Sequence, residues 1–217
     1  MNNKTFKAAL FDLDGVVLDT EGQYSQFYGE IGREFHPEVQ DFAQRIKGMT
    51  LSQIYEAWFG GQTELQAEIT RRLYKHEANM TYEYIGGFED FIQSLRVAGI
   101  KTAIVTSSND EKMENVFRSR PELKEWFDRI LTSKDYTASK PDPDCYQTAV
   151  RLFGAQPKEC VVFEDSVNGL KSGRASGAFV VGLTTTNPQE VVAPLADLTI
   201  GDFTELSLPL LSSCRPS

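Results

Sequence analysis

Asp12 and Asp14 stand two residues apart, directly after the apolar pair Leu10-Phe11 and just before Gly15. Residues two apart on a strand point to the same side, so both carboxylates can share one site. Three further polar clusters recur along the chain: Thr106-Ser107-Ser108-Asn109 after Ile104-Val105, Ser139-Lys140-Pro141 before a helical pattern, and Glu164-Asp165-Ser166 after Val161-Val162-Phe163. Brought to one crevice, these clusters supply Asp12, Asp14, Glu164 and Asp165 as acids, with Lys140 and several hydroxyls beside them. Two like charges ~4 Å apart repel by roughly 4 kcal/mol at an effective dielectric of about 20, so the acids need protonation or a cation. Aspartate oxygens in a site left open to phosphate are a ligand set that Mg²⁺ takes, with waters completing its octahedron. A divalent ion plus Lys140 offsets about three of the four negative charges. The crevice is then receptive to a phosphate dianion.

The elements that must position these residues follow from periodicity. Phe6–Phe11 reads as a buried strand. From about Thr20 to Tyr82 the strand signal disappears and apolar residues recur at helical spacing (Tyr24, Phe27, Tyr28, Ile31, then Leu51, Ile54, Tyr55, Trp58), with breaks at His36-Pro37, Gly48 and Gly60-Gly61. From Ile85 onward strands and helices alternate. The strands are predicted at Lys101–Thr106, Arg129–Thr132, Val161–Phe163, Phe179–Leu183 and Leu198–Ile200. Helices carry Phe88, Phe91, Ile92 and Leu95, then Met113, Val116 and Phe117, then Tyr146, Ala149, Val150 and Phe153. Strands separated by helices of this length imply a parallel sheet covered on both faces. Ligands in such sheets bind at the carboxyl ends of the strands, where the four polar clusters lie.

The chain has 217 residues, enough for one α/β core plus an inserted subdomain. The division expected is a core of residues 1–19 plus 83–217 and a helical subdomain of residues 20–82. A net charge of −9 argues against nucleic acid or an anionic membrane surface as partner. The longest apolar runs are far below a membrane span, and Asp12 and Asp14 interrupt the stretch Ala8–Leu18, so no signal peptide is expected. Cys145, Cys160 and Cys214 are too few for a disulfide framework, which points to a cytoplasmic protein. His36 and His76 are isolated, and no Cys or His cluster has zinc spacing. A monomer is the simplest expectation.

The motifs FDLDGVVLDTE, IVTSSN, SKPDPD and VVFEDSVNG, in that order, resemble the haloacid dehalogenase-like hydrolase superfamily, in its β-phosphoglucomutase-like phosphatase branch. The resemblance spans nearly the whole chain. It implies an α/β fold, a Rossmann-like doubly wound parallel sheet with an inserted α-helical cap. It also implies roles: Asp12 as nucleophile forming an aspartyl phosphate, and Asp14 as general acid/base. Thr106 and Ser107 would bind phosphate, and Lys140 would neutralise charge and orient Asp12. Mg²⁺ would be held by Asp12, the Asp14 carbonyl and Asp165, with Glu164 as ligand or outer partner. The substrate class implied is a small phosphorylated metabolite, a sugar or polyol phosphate.

Mutases of this branch carry a histidine where this chain has Tyr24, an arginine where it has Leu51, and a lysine in the region of Asn109. Each departure removes a group useful for a bisphosphate, which favours water as the phosphoryl acceptor over a phosphohexomutase. A catalytically silent binding module would be expected to lack one of Asp12, Asp14, Lys140 or Asp165, and none is missing. Tyr24, Lys47, Gly48, Met49 and Thr50 are the candidates for substrate contact from the cap. Asn109 or Asp110 is expected to cap a helix, Ser166 and Asn168 to cap another or support Asp165, and Asp19 and Thr20 to form a hinge.

Overall fold

A computed structural model describes residues 6–47 and 49–214. In chain order its regular elements are β1 (Ala8–Phe11), α1 (Glu21–Phe35), α2 (Phe42–Arg45), α3 (Leu51–Trp58), α4 (Thr63–Glu77), α5 (Phe88–Val97), β2 (Lys101–Val105), α6 (Asp110–Ser119), α7 (Leu123–Trp126), β3 (Arg129–Leu131), α8 (Asp144–Leu152), β4 (Cys160–Glu164), α9 (Val167–Ser176), β5 (Phe179–Leu183), α10 (Gln189–Val192), β6 (Leu198–Ile200) and α11 (Leu208–Ser213).

The inner strands β1, β4 and β5 are short runs buried at every position, the pattern of a sheet covered on both sides. Among the described residues the strands form one parallel sheet in the order β3-β2-β1-β4-β5-β6. Side chains alternate between two cores. Ala9, Phe11, Ile104, Val161 and Phe163 pack with Phe88, Phe91 and Phe203 on one face. Ala8, Leu10, Ala103, Val105 and Val162 pack with Tyr146, Ala149 and Leu170 on the other. The Phe11 and Phe163 rings stack at 4.5 Å across the β1–β4 pair, which fixes the register next to the site. The sheet is parallel and covered on both faces, as the alternating pattern implied, and it is the doubly wound α/β fold that the resemblance implied. Its order reverses between β1 and β4, the switch point at which such sheets bind ligands.

Strand ends differ from the sequence expectation by one or two residues, with local causes. β1 begins at Ala8, where it pairs with both Lys101 and Cys160. Thr106 leaves β2 because its hydroxyl turns back to accept from the Ser108 N–H at 3.1 Å. β3 ends at Leu131 because the Thr132 N–H is taken by the Asp135 carboxylate at 2.8 Å. β4 runs on through Glu164, which still pairs with Gly182.

Helices α1 to α4 pack around a separate core of Phe27, Ile31, Phe42, Ile54, Phe59, Ile69 and Leu73. His36 stacks on Phe42 inside this block. The chain enters and leaves the block side by side, with the Asp19 N–H donating to the Glu83 carbonyl at 2.8 Å and Leu18 bridging to Tyr84. No helix among the described residues is long and apolar enough to cross a membrane.

Candidate active site

β1 delivers Asp12 and Asp14 to the switch point, and the chain then turns at Gly15 (φ 74°). A Cβ there would lie 2.1 Å from Asp165 Oδ2, so only glycine lets the β1 loop close over Asp165. Lys140 arrives from the loop before α8 and is the hub of the site. Its buried ammonium donates to Asp12 Oδ1 at 2.8 Å, to Glu164 Oε1 at 2.6 Å and to the Val105 carbonyl at 3.1 Å. Glu164 at the end of β4 is saturated. Oε1 also accepts from the Tyr146 hydroxyl at 2.8 Å, and Oε2 from the backbone N–H groups of Asp165 and Ser166 at 3.1 and 3.3 Å and from the Ser166 hydroxyl at 3.3 Å. Gly169 makes room for it: a Cβ at that position would lie 1.8 Å from Glu164 Oε1.

The remaining parts face the same cavity of about 420 Å³. Thr106 and Ser107 follow β2, and the Ser107 hydroxyl is buried without a hydrogen-bond partner. Asn109 and Ser166 cap α6 and α9, accepting from Lys112 N–H and Gly169 N–H at 3.0 Å each. The site expected from the sequence is therefore brought together around Asp12.

Burial pushes the Asp12 carboxyl up from 3.8 to about 7; Lys140 opposes this, while Glu164 and Asp14 add to it. Burial and then Glu164 hold Asp165 well above the ordinary carboxylate range. Burial alone would lower Lys140, but Asp12 and Glu164 outweigh it and keep the ammonium firmly charged. One lysine thus sits among more carboxylates than it can neutralise. Both Asp165 oxygens are buried with no hydrogen-bond partner, a costly state unless a cation takes them. Asp12, Glu164 and Asp165 each bring an oxygen within 4.8 Å of the others. An all-oxygen, hard donor set fits a divalent cation of the Mg²⁺ class. Glu164, expected among the metal residues, has its lone pairs engaged by protein donors and holds Lys140. The open oxygens belong to Asp12 and Asp165.

On the helical side, Tyr24, Lys47, Met49 and Thr50 all line the cavity, while Gly48 lies outside the described residues. Tyr24, Lys47 and Thr50 each have a local commitment. The Tyr24 hydroxyl donates to Glu77 Oε1 at 2.9 Å. Lys47 pairs with Glu21 at 3.2 Å. Thr50 caps α3 in a reciprocal pair with Gln53, and Gln53 reaches the Lys140 carbonyl at 3.4 Å. Leu51 lines the cavity as an apolar wall.

Sequence reasoning missed Lys112, Glu21 and Glu77. Lys112 donates to Asp14 Oδ2 from the first turn of α6. Its signal was positional, since a lysine at a helix N-terminus opposes the macrodipole and calls for an anion nearby. Glu21 and Glu77 both face the cavity, and burial raises both carboxyls.

A family profile described as haloacid dehalogenase-like hydrolase matches residues 9–183. Validoxylamine A 7'-phosphate phosphatase of Streptomyces hygroscopicus subsp. limoneus is 29% identical, over 94% of this chain and 97% of that protein. β-Phosphoglucomutase of Bacillus subtilis (strain 168) is 26% identical over 94% and 93%. A solved hydrolase structure from Entamoeba histolytica HM-1:IMSS superposes with a TM-score of 0.83 at 21% identity, covering 96% of this chain and 99% of that one. At that identity the structural match speaks for the fold.

Proposed function

The chain is an enzyme of the haloacid dehalogenase-like hydrolase family, and on that premise we propose that it is a Mg²⁺-dependent phosphatase of sugar or polyol phosphates. The observation that carries this reading is the buried Lys140 held between Asp12 at 2.8 Å and Glu164 at 2.6 Å, beside an Asp165 whose oxygens have no protein partner.

In this reading Asp12 attacks phosphorus in line and the P–O bond to the leaving group breaks, giving an aspartyl phosphate. Asp14 donates its proton to the departing oxygen and then takes one from the attacking water. Lys140 fixes the attacking oxygen, and Glu164 fixes Lys140. Thr106 and Ser107 receive the phosphoryl oxygens, a role supported by the buried Ser107 hydroxyl having no hydrogen-bond partner. Asp12, the Asp14 carbonyl and Asp165 would hold a Mg²⁺, which would supply positive charge for the phosphoryl oxygens, the main electrostatic need of phosphoryl transfer. The helical block, residues 20–82, serves as a cap over the core of residues 1–19 and 83–217. Tyr24, Lys47, Met49 and Thr50 belong to its substrate-facing surface. The −9 charge disfavours nucleic acid as a partner. The cysteines are free, in keeping with a cytoplasmic enzyme.

Water is the acceptor favoured over a second sugar phosphate. A bisphosphate needs unpaired cations at the cap end of the cavity. Lys47 is paired with Glu21, Lys112 with Asp14, and Leu51 is apolar. Phosphate release from a panel of sugar and polyol phosphates with Mg²⁺, ranked by kcat/KM, tests this. A parallel assay with glucose 1-phosphate and catalytic glucose 1,6-bisphosphate decides the acceptor: isomerised product exceeding free phosphate would make the chain a mutase.

A further inference from the structure

We propose that Lys112 is the positioning residue for the Asp14 carboxylate, and that it ties this acid/base to the docking of the helical block. The proposal rests on the reading of Asp14 as the group that protonates the leaving oxygen.

Lys112 belongs to the sheet domain, yet its side chain is only 5% exposed because the helical block roofs it. Its ammonium donates to Asp14 Oδ2 and lies 4.5 Å from the centre of the Tyr24 ring. An ammonium buried in the first turn of a helix is doubly disfavoured, by desolvation and by the helix dipole. It stays there because a carboxylate and an aromatic face both receive it. The ring is itself fixed, since the Tyr24 hydroxyl donates to Glu77 Oε1 at 2.9 Å. A continuous relay results: Glu77 at the end of α4, Tyr24 on α1, Lys112 on α6, and Asp14 after β1. The first two members lie in the helical block and the last two in the sheet domain.

The other donors to Asp14 are neutral hydroxyls. Ser108 Oγ is 3.4 Å from Oδ2, and the buried Thr20 hydroxyl donates to Oδ1 at 2.5 Å from the point where the chain enters the helical block. Lys112 is the charged donor to the carboxylate, and it comes from the sheet domain. As the P–O bond breaks, the Asp14 proton must pass to the leaving oxygen. A misplacement of ~1 Å at such a step costs on the order of 100-fold in rate. That penalty applies only where the leaving oxygen needs a proton, as an alkoxide does and 4-nitrophenolate does not.

The test compares kcat/KM for glucose 6-phosphate and 4-nitrophenyl phosphate, with saturating Mg²⁺, in wild type, Lys112→Met, Asp14→Asn and the double variant. Lys112→Met is expected to lower the glucose 6-phosphate value about 10- to 100-fold and the aryl value less than about 3-fold. In the Asp14→Asn background it is expected to leave the ratio of the two unchanged. Lys112→Gln serves the same comparison if Lys112→Met does not fold. An equal fall on both substrates would assign Lys112 to phosphate binding or to the fold, and would overturn the proposal. So would a full glucose 6-phosphate rate in Lys112→Met, or a further loss of the ratio in the double variant. If Asp14→Asn itself treats the two substrates alike, the acid role of Asp14 fails, and the proposal with it.

Discussion

Raising the pH of the metal-free protein should destabilise it, and Mg²⁺ should abolish the effect. The Asp12 carboxyl sits at about 7 in the fold against 3.8 outside it, chiefly because it is buried. Between those values the folded chain holds a proton that the unfolded chain has released, so stability falls as pH rises. The contribution is fully present below about 3.8 and lost by about 7. At 1.36 kcal/mol per pH unit the loss is at most about 4 kcal/mol, on the order of 10 °C in Tm for a chain of this length. Asp165, Glu21 and Glu77 are also raised by burial and act with the same sign. Lys140 is raised above its ordinary value, so its contribution is lost only in strong alkali. Asp144, lowered to about 2 by hydrogen bonds from Thr137, matters only in acid. Thermal unfolding between pH 5 and 7.5, in chelator and in excess Mg²⁺, measures the effect. Metal at ~100 times its Kd adds about 2.7 kcal/mol, and because it binds the deprotonated carboxylates its benefit grows with pH. A metal-free Tm that rises or stays flat from pH 5 to 7.5 would refute the electrostatic description of the site. A Tm at pH 7.5 that ignores Mg²⁺ would refute the metal assignment.

Other substitutions separate the parts of the site. Lys140→Met strands Glu164 and Asp12 as unpaired buried acids, and should cost about 3–5 kcal/mol in denaturant unfolding together with phosphatase activity. Tyr146→Phe removes one donor to Glu164 Oε1 and should cost about 1–2 kcal/mol, with kcat within about tenfold of wild type because Lys140 remains in place. Gly169→Ala forces a methyl onto the Glu164 carboxylate. It should lose more activity than Tyr146→Phe, measured as phosphate release at saturating Mg²⁺.

Much of the sheet was legible because its strands are uninterrupted apolar runs such as Val161-Val162-Phe163, and their order of function follows from which runs end in acids. Asp12, Asp14, Lys140 and the Glu164-Asp165 pair were visible because each breaks an apolar or turn pattern with a group that needs a partner. What could not be read was allegiance across the chain. Glu164 looks like any second acid until Tyr146 and the α9 N-terminus are seen to saturate it. Lys112 looks like a solvated lysine of a polar helix, and only the placement of α1 and α4 over α6 buries it. Glu77 reads as the end of an amphipathic helix, whereas it anchors Tyr24. These contacts join elements up to ~100 residues apart, and a 3.6-residue period carries no information about them.

The most direct test of the central claim is to trap the covalent intermediate. The protein is mixed with Mg²⁺ and a ³²P-labelled sugar phosphate that it hydrolyses, quenched in acid, reduced with borohydride and mapped by peptide mass spectrometry. Label in the quenched protein and homoserine at position 12 after reduction are the results predicted for an Asp12 acyl phosphate. Label on any other residue, or full turnover with an Asp12→Asn variant, would contradict the account.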